Sequence, residues 1–309
     1  MKESFLNHSS AARVMVLGGT GMLGSMMVEI LSESSQIELY STSRKHIDSK
    51  KNVNWIRFNF DETSILQIKD LLSGMDYVVN CVGLIKHKAS KESLQTMSYL
   101  NTFLPLLINK FANELNFKYI QIGTDCIFSG KNENYLEDTS PDATDLYGIS
   151  KVLSESNLNN ALVLRCSIIG PEYRSNVSLL EWFINNDINA KINGFGNHFW
   201  NGISTLNFAR IIRGIILTNS FFNGIQHIVP VGVISKYELL SLFKEEFQLN
   251  SHQLSKTQDK LSINRKLSTL NNTRNLLAWN LGGYQSVPTI EDIVKELAIF
   301  YPLYKSRWG

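Results

Sequence analysis

The sequence has 309 residues, which is long for one simple domain and short for two independent ones, so we expect one larger domain with a smaller lobe packed against it. Hydrophobic residues make up 43% and charged residues 19% of the chain, which is typical of a globular protein that buries a large core. The formal net charge is +2 and no long basic block is present, which excludes nucleic-acid binding as the main activity, because neutralising many phosphates requires concentrated Lys and Arg.

The first half of the chain alternates short, apolar and β-branched runs with longer segments of helical spacing. The short runs predict strands at residues 14–17, 37–42, 53–58, 77–81, 119–122 and 162–165. The longer segments predict helices at 22–32, 63–72 and 92–115, and a further helix after Tyr147. This βαβα alternation predicts an α/β fold with a Rossmann-type, doubly wound parallel sheet that helices cover on both faces.

The pattern loosens after Gly170-Pro171. A helix at 206–217 and a strand at 226–229 are predicted to return to the sheet, whereas 185–200 lacks periodicity and the polar segment 251–264 is predicted to be a loop. Further helices are predicted at 236–247, 273–279 and 290–300. We therefore predict a sheet domain over 12–170, with 204–234 returning to it, and a smaller, mainly helical lobe formed by 171–203 and 235–309.

A glycine-rich turn, residues 18–24, stands between the first strand and an apolar helix. Strand, turn and helix in that order form a cradle for a pyrophosphate, because glycine permits close backbone approach and a helix N-terminus offers free N–H groups. The GxxGxxG spacing differs by one residue from the usual GxGxxG fingerprint, but it occupies the first βα unit, as cofactor binding requires. A glycine turn without a ligand is the alternative. The residues predicted to bind a dinucleotide here are Gly18, Thr20, Gly21, Met22, Leu23 and Gly24.

The second strand ends in Ser43 and Arg44. An NAD site favours an acidic residue at this place, to bond the ribose 2′-hydroxyl, whereas a hydroxyl and a guanidinium suit a 2′-phosphate. An exposed Arg44 without a ligand is the alternative. We therefore predict that the cofactor is NADPH, with NADH as the second candidate.

Tyr147 and Lys151 are four residues apart on one face of a predicted helix. A phenol with its ordinary pKa of about 10 exchanges protons poorly with a carbonyl oxygen at neutral pH, and a neighbouring ammonium is expected to lower that pKa. An ordinary amphipathic pair is the alternative for this spacing alone. Thr124 ends the fifth strand, where an open α/β sheet binds its ligands, so its hydroxyl is expected to hold a substrate carbonyl beside Tyr147. Gly83, just past the fourth strand, permits close approach of a cofactor.

These features, taken in order, resemble those of an extended short-chain dehydrogenase/reductase. They are the glycine turn, Asp61 after the third strand, residues 80–83, Asn101 in the following helix, Thr124, and Tyr147-x-x-x-Lys151. Within that family, Gly-Thr-Asp-Cys-Ile-Phe-Ser-Gly at 123–130 resembles the S-T-D-Y-V-F-D-G stretch of dTDP-4-dehydrorhamnose reductases and related nucleotide-sugar 4-keto reductases. Residues 135–141, 146–148, 163–165 and Gly170-Pro171 continue the likeness.

The resemblance implies NADPH-dependent reduction of the C4 ketone of a nucleotide-activated 6-deoxy keto-sugar, in surface-polysaccharide or deoxysugar biosynthesis. It implies that Tyr147 protonates the developing alkoxide, that Lys151 tunes Tyr147 and holds the cofactor ribose, and that Thr124 orients the carbonyl. It also implies that the protein is a monomer or a homodimer. The molecule that it is expected to bind as substrate is a nucleotide-diphospho-keto-sugar. The further cofactor contacts that it implies are Asp61, Cys81, Val82, Gly83 and Asn101.

Two residues depart from the pattern of the rhamnose enzymes: Cys126 replaces an aromatic residue and Ser129 replaces an Asp. Sugar 4,6-dehydratases of the family carry an Asp-Glu pair after the Thr, and Asp125-Cys126 lacks that general base, which argues against dehydration. A nucleotide-sugar 4-epimerase uses the same Thr, Tyr and Lys and stays an alternative. A non-catalytic, NADP-binding regulatory subunit of the same fold is the other alternative.

Several residues outside these motifs are candidates for substrate contact. Lys86, next to His87, would meet a pyrophosphate or lie in a solvated loop. Trp200 and Asn201 would face a nucleotide base, which Trp200 would stack on, or pack within the lobe. The remaining candidates, Cys126, Ser167 and Phe128, are expected to line the pocket. For Phe128 the alternative is packing in the core.

The cysteines and the N-terminus predict where the protein works. The three cysteines are far apart and lack a CxxC spacing, and the six histidines lack metal-ligand spacing, so neither a disulfide framework nor a metal site is expected. Residues 1–13 are polar, and no apolar run approaches the roughly 20 residues of a membrane span. We therefore expect a cytoplasmic protein without a membrane segment.

Overall fold

The computed structural model describes residues 11–47, 52–85, 94–158, 160–187 and 190–308. Within these ranges a sheet of seven strands, parallel at every pairing, forms the centre of the molecule. Its strands, in sheet order, are Val53–Arg57 (β3), Ile37–Ser43 (β2), Ala12–Leu17 (β1), Tyr77–Asn80 (β4), Lys118–Thr124 (β5), Ala161–Cys166 (β6) and Gly224–His227 (β11). The predicted Rossmann-type sheet is therefore confirmed, and β11 returns to its edge beside β6, as the pattern at 226–229 indicated.

Helices cover both faces of this sheet, because successive strand residues alternate between them. Val14 and Val16 of β1 belong to one buried cluster, and Met15 and Leu17 belong to the cluster on the opposite face. The α-helices within the described ranges are Met22–Leu31 (α1), Ile65–Leu72 (α2), Leu94–Ser98 (α3), Leu104–Leu115 (α4), Leu146–Glu155 (α5), Leu179–Ile184 (α6), Thr205–Leu217 (α7), Lys236–Glu246 (α8), Asn272–Leu281 (α9) and Ile290–Trp308 (α10).

The predicted helix at 92–115 is interrupted. The residues between α3 and α4, Tyr99–Phe103, form a π-helical turn. Such turns insert an extra residue into a helix and are frequent at functional sites. Asn101, one of the predicted site residues, lies within this turn and is fully buried.

In the lobe, one segment without periodicity contains strands, and one sequence prediction was wrong. The segment 185–200, which lacks periodicity, contains the strands Lys191–Phe195 (β8) and His198–Trp200 (β9). The segment 251–264, predicted to be a loop, contains Gln253–Thr257 (β13) and Ile263–Asn264 (β14). β13 pairs with β8, and β14 pairs with β9. These strands are held by backbone pairing with partners that are distant along the chain, so neighbouring residues in the sequence do not reveal them.

Short strands complete the lobe, namely Ile168–Ile169 (β7), which pairs with Ile203–Ser204 (β10), and Ile234–Ser235 (β12), which pairs with β9. α7 and α8 each begin after a serine N-cap, which is a residue type that favours the start of a helix. Ser204 with Asn207, and Ser235 with Glu238, form reciprocal capping boxes in which the side chain of each residue bonds the backbone of the other.

The end of α10 packs on α1 of the sheet domain. The indole N–H of Trp308 donates to Glu29 at 2.8 Å, and the hydroxyls of Tyr304 and Ser25 are 2.6 Å apart. The last helix of the predicted lobe therefore contacts the first helix of the sheet domain, and the domain boundaries stay a prediction. No helix in the described ranges is both long and apolar enough to cross a membrane.

Candidate active site

The glycine turn after β1 forms a cradle that side chains would fill. Gly18 has a φ of +77°, which favours glycine, and its N–H donates to the Thr42 hydroxyl at 2.8 Å. A Cβ on Gly24 would overlap the carbonyl oxygen of Gly18, so this glycine lets α1 approach the turn. Gly19 and Thr42 also shape this turn but were not among the predicted site residues. A Cβ on Gly19 would collide with the hydroxyl of Ser41.

α1 begins directly at this cradle with Gly21 as its N-cap, and no side chain caps it. The first backbone N–H groups of a helix have no intrahelical acceptor, and they carry the positive end of the helix dipole. Bare N–H groups above a glycine cradle suit a pyrophosphate. The residues present therefore fit a dinucleotide cofactor, and Thr20 and Met22 are partly exposed beside this helix start.

β1 and β4 are neighbours at the point where the strand order of the sheet reverses, and an open α/β sheet binds its ligand there. A Cβ on Gly18 would lie 3.0 Å from a methyl group of Val82, so the two strand ends approach closely. A Cβ on Gly83 would lie 3.2 Å from the Asn101 amide oxygen and 3.8 Å from Lys151 Nζ. Gly83 therefore brings the end of β4 against the helices that carry Asn101 and Lys151.

Asn101 connects the segment after β4 to α5. Its amide oxygen accepts the N–H of Leu84 at 2.8 Å, and its amide nitrogen donates to Leu84 O at 3.0 Å and to the Ser150 hydroxyl at 3.2 Å. Thr102, the next residue of the π-helical turn, donates to Ser150 O at 2.8 Å. The π-helical turn thus fixes the position of the helix that presents Tyr147 and Lys151.

Tyr147 and Thr124 meet at the end of β5. The Asp145 side chain caps α5 by accepting the N–H of Gly148 at 3.0 Å, which places Tyr147 in the first turn. The Thr124 hydroxyl accepts the N–H of Cys126 at 3.2 Å. Burial raises the pKa of Tyr147, the negative charge of a Cys126 thiolate raises it further, and hydrogen bonding with Thr124 opposes the rise.

The pKa of Tyr147 is therefore raised on balance, whereas the sequence predicted a lowered pKa. Loss of solvation around the phenolate outweighs the hydrogen bond from Thr124, so the phenol holds its proton at neutral pH. Lys151 is only 9% exposed, and burial lowers the pKa of its ammonium. The negative charge of Glu155 acts in the opposite direction and favours the charged lysine.

Glu155 is a residue that sequence reasoning missed. It lies one helical turn beyond Lys151, and its carboxylate accepts from Arg165 of β6 at 2.8 Å, with both side chains nearly fully buried. Burial raises the pKa of Glu155, and the charges of Arg165 and Lys151 oppose this rise. The i, i+4 spacing from Lys151 was the available signal, but the partner on β6 is set by the fold.

The series of polar contacts that begins at Lys151 and Glu155 continues from Arg165 into the lobe. Arg165 Nη1 lies 3.3 Å from His227 Nε2, and His227 Nδ1 lies 2.7 Å from Ser268 O. Burial lowers the pKa of His227 to about 4, so the ring is neutral at pH 7 and donates from Nδ1 to Ser268 while Nε2 accepts from Arg165. Glu137 accepts the backbone N–H of His227 at 2.9 Å.

The predicted 2′-phosphate residues lie at the end of β2. Arg44 is exposed there, and Ser43 is buried with its hydroxyl accepting the N–H of Lys45 at 3.3 Å. Asp61 lies after β3, where its carboxylate accepts from the backbone and the hydroxyl of Thr63. Hydrogen bonds from Thr63 lower the pKa of Asp61. Burial raises the pKa of Cys81, after β4, to about 12, so this residue is a neutral thiol.

The predicted substrate residues differ in their exposure to solvent. Cys126 follows Thr124 at the end of β5 and is partly exposed. Phe128 is fully buried and stacks on Tyr135 at 4.2 Å, so the alternative of core packing is right and its assignment to the pocket was wrong. Leu23, which was predicted to contact the cofactor, is likewise largely buried, because its side chain is only 9% exposed. Lys86 and His87 lie outside the described residues.

Trp200 and Asn201 are buried within the lobe. Trp200 is 3% exposed, and its indole N–H donates to the Ser167 hydroxyl at 2.9 Å. The Asn201 amide donates to Leu267 O at 2.7 Å and accepts the N–H of Leu267 at 3.0 Å. Of the two alternatives for Trp200, packing within the lobe is therefore right and stacking on a nucleotide base was wrong, because the ring is buried. Ser167 is likewise engaged with Trp200.

Residues 14–163 match the model of the NAD dependent epimerase/dehydratase family. No curated protein matches the sequence. The structure is similar to that of dTDP-4-dehydrorhamnose reductase from Bacillus anthracis str. Ames in complex with NADP, with 18% identity and a TM-score of 0.73 over 93% of this chain and 99% of that one.

Two other similar structures contain NAD. MoeE5 in complex with UDP-glucuronic acid and NAD has 15% identity and a TM-score of 0.73 over 94% of this chain and 99% of that one. DesIV, a dTDP-glucose 4,6-dehydratase from Streptomyces venezuelae, has 16% identity and a TM-score of 0.73 over 96% of this chain and 99% of that one. At these identities the likeness establishes the fold.

The resemblance to extended short-chain dehydrogenases/reductases is thereby confirmed, in sequence over residues 14–163 and in fold over nearly the whole chain. The family match and the glycine cradle together indicate an enzyme of the nicotinamide-dependent type.

Proposed function

We propose that this protein is an NADPH-dependent reductase of the C4 ketone of a nucleotide-activated 6-deoxy keto-sugar. The observation that carries the proposal is the meeting of Thr124 and Tyr147 at the end of β5, one helical turn from a buried Lys151 that adjoins Gly83. This places a hydroxyl, a phenol and an ammonium around one point at the ligand-binding edge of the sheet. A carbonyl reduction needs such groups around the oxygen that gains charge.

In the proposed reaction Tyr147 is the general acid. A bound nicotinamide supplies the hydride that the reduction requires. Because the pKa of Tyr147 is raised, the phenol enters the reaction protonated and can give its proton to the alkoxide oxygen. Thr124 holds the same oxygen by a hydrogen bond, and the Lys151 ammonium stabilises the phenolate that forms and binds the ribose of the cofactor.

The direction of the Tyr147 pKa favours reduction over 4-epimerisation. An epimerase must first oxidise a sugar hydroxyl, for which the tyrosine has to begin as a base. A buried phenol whose ordinary pKa of about 10 is raised further is a weak starting base at neutral pH. Cys126, where a dehydratase has the glutamate of its Asp-Glu pair, supports reduction over dehydration.

The choice of NADPH rests on Arg44 and Ser43 at the end of β2. Arg44 is exposed, and residues 40–47 at this strand end contain no acidic residue, so its guanidinium suits a 2′-phosphate. The NADP bound in the Bacillus anthracis relative supports this choice, and the NAD in the other two relatives makes NADH the comparison cofactor.

The test is consumption of NADPH with a panel of dTDP-, UDP-, CDP- and GDP-linked 4-keto-6-deoxy sugars, with the product identified by NMR. We expect turnover with at least one member and a 4-hydroxy product. The corresponding 4-hydroxy nucleotide sugars are tested in parallel, and their conversion without net cofactor consumption would instead identify an epimerase. Tight binding of NADPH without turnover of any panel member would contradict the proposal and identify a regulatory subunit.

A further inference from the structure

Lys236, the first residue of α8, reaches toward the predicted catalytic residues from the lobe. Its ammonium lies 5.6 Å from the centre of the Trp200 ring, and the side chain is half-buried. The structure gives this ammonium neither a hydrogen-bond acceptor nor a carboxylate within ion-pair distance among the described residues. Trp200 in turn is fixed through its hydrogen bond to Ser167, so it forms a rigid surface beneath the lysine.

The surroundings of Lys236 connect it to the end of β5. The negative charges of Asp125 and Cys126 favour its ammonium, while burial and the charge of Arg265 lower the pKa of Lys236. Cys126 acts in the same way on Lys151 and also raises the pKa of Tyr147. Trp200, on which Lys236 lies, is hydrogen-bonded to Ser167. Ser167 follows Cys166, which pairs with Thr124 at the end of β5, so Lys236 stands on the side of the lobe next to the predicted catalytic residues.

Arg265 adds a second positive charge at this place. Its Nε donates to Phe128 O at 2.7 Å, which anchors the guanidinium to the segment that follows Thr124. Two cations whose charges act on one another, both partly out of water, cost free energy unless an anion joins them. In the part of the chain that the structure describes, Asp125 is the carboxylate whose charge favours the Lys236 ammonium, and no ion pair joins the two. The arrangement therefore favours an anionic ligand.

We propose that Lys236, held on Trp200 and assisted by Arg265, binds the diphosphate of the nucleotide-sugar substrate. This inference rests on the proposed function, because that function supplies the anion: a diphosphate that links the sugar at Tyr147 to the nucleoside. It assigns the diphosphate contact to the lobe, whereas the sequence pointed to Lys86. It also gives Trp200 a role as the support of a cation.

The test measures binding of nucleoside diphosphates by calorimetry, with the protein saturated with NADP⁺. UDP, dTDP, CDP and GDP are compared with the corresponding nucleosides for the wild-type protein and for Lys236→Met and Lys236→Arg. Methionine keeps the apolar stem over Trp200, and arginine keeps the charge. The matched control is Lys256→Met, because Lys256 also lies 5.6 Å from an aromatic ring, that of Tyr237, but is exposed on β13.

We expect Lys236→Met to weaken binding of the preferred nucleoside diphosphate about tenfold or more, because a charge-assisted hydrogen bond is lost, while nucleoside binding changes little. Lys236→Arg and Lys256→Met should bind the diphosphate nearly as well as the wild type. Unchanged diphosphate binding by Lys236→Met, or an equal loss for the nucleoside, would overturn this inference alone. A wild-type protein that binds none of these diphosphates would overturn the proposed function as well.

Discussion

One oxygen of the Glu155 carboxylate accepts a hydrogen bond from Arg165 Nε at 2.8 Å and lies 2.8 Å from Arg165 Nη2. The other oxygen has no hydrogen-bond partner in the part of the chain that the structure describes. Lys151 lies one helical turn before Glu155, and the two charges favour one another. A strand arginine and a helix lysine thus share one buried carboxylate. The charge state of Lys151 therefore depends on a residue that is not expected to touch substrate or cofactor.

Replacing Glu155 by Gln should lower the pKa of Lys151 further, because the nearest negative charge is removed while burial remains. The ammonium would then be lost at a lower pH, and the alkaline limb of the pH–rate profile should move to lower pH. The profile of kcat/KM with NADPH and the preferred keto-sugar measures this shift. Glu114→Gln, at a surface ion pair with Lys69, is the control and should leave the profile unchanged. An unshifted limb in Glu155→Gln would mean that Glu155 has a purely structural role.

Tyr147→Phe should lower turnover by about 10²- to 10⁴-fold, which is the usual contribution of a general acid, and should leave the dissociation constant of NADPH nearly unchanged. The reason is that only the proton donor is removed, whereas the ring still fills its site. Stopped-flow measurement of NADPH oxidation and fluorescence titration of NADPH give the two quantities. Tyr237→Phe, in the lobe, is the matched control. Turnover that survives in Tyr147→Phe would remove the proposed acid.

Arg44→Ala should weaken NADPH binding by about tenfold or more and change NADH binding little, because a charge-assisted contact to the 2′-phosphate is lost. Titration of the two cofactors against the same protein preparation measures the ratio. Arg274→Ala is the control, since this arginine lies on α9 and stacks on Phe222. An equal loss for both cofactors would contradict the assignment of Arg44 to the 2′-phosphate.

The glycines of the turn offer a paired test. Gly24→Ala should destabilise the fold by about 1–3 kcal/mol, because its Cβ would overlap the backbone of Gly18. Gly21→Ala should change stability by less than about 0.5 kcal/mol, since the nearest atom to its Cβ is 3.5 Å away, yet it should weaken cofactor binding because it closes the cradle. Urea unfolding and cofactor titration separate the two effects. Unchanged cofactor affinity in Gly21→Ala would show that the pyrophosphate does not approach this residue.

His227 should make the fold less stable in mild acid. Its pKa falls to about 4 in the folded protein, mainly through burial. An unfolded histidine has a pKa of about 6.5, so between these values the unfolded chain binds a proton that the folded chain does not. This contribution to the free energy of unfolding is fully present above pH 6.5 and is lost as the pH falls through about 4, with a total of about 3 kcal/mol. Urea unfolding at pH 7 and pH 4.5 measures the loss, and His227→Gln should reduce it.

Local spacing in the sequence determined the sheet, the glycine turn and the helix that carries Tyr147 and Lys151. A buried parallel strand is a short apolar run and a covering helix repeats every 3.6 residues, so both can be read from neighbours along the chain. The turn at Gly18 and the i, i+4 pair are likewise local, and the structure brings them to one edge of the sheet together with Thr124. The return of a strand near 226–229 to the sheet was predicted from the same periodicity, whereas its pairing with β6 is seen only in the structure.

Tertiary structure alone decided which residues are buried together and what burial does to their charges. The ion pair of Glu155 with Arg165, the covered ring of Trp200 and the polar strand β13 all depend on partners far away in the sequence. The raised pKa of Tyr147 belongs to the same group, because it is set by loss of water and not by the spacing to Lys151. Solvation depends on every segment that packs around a group, and periodicity reports only on the segment that carries it.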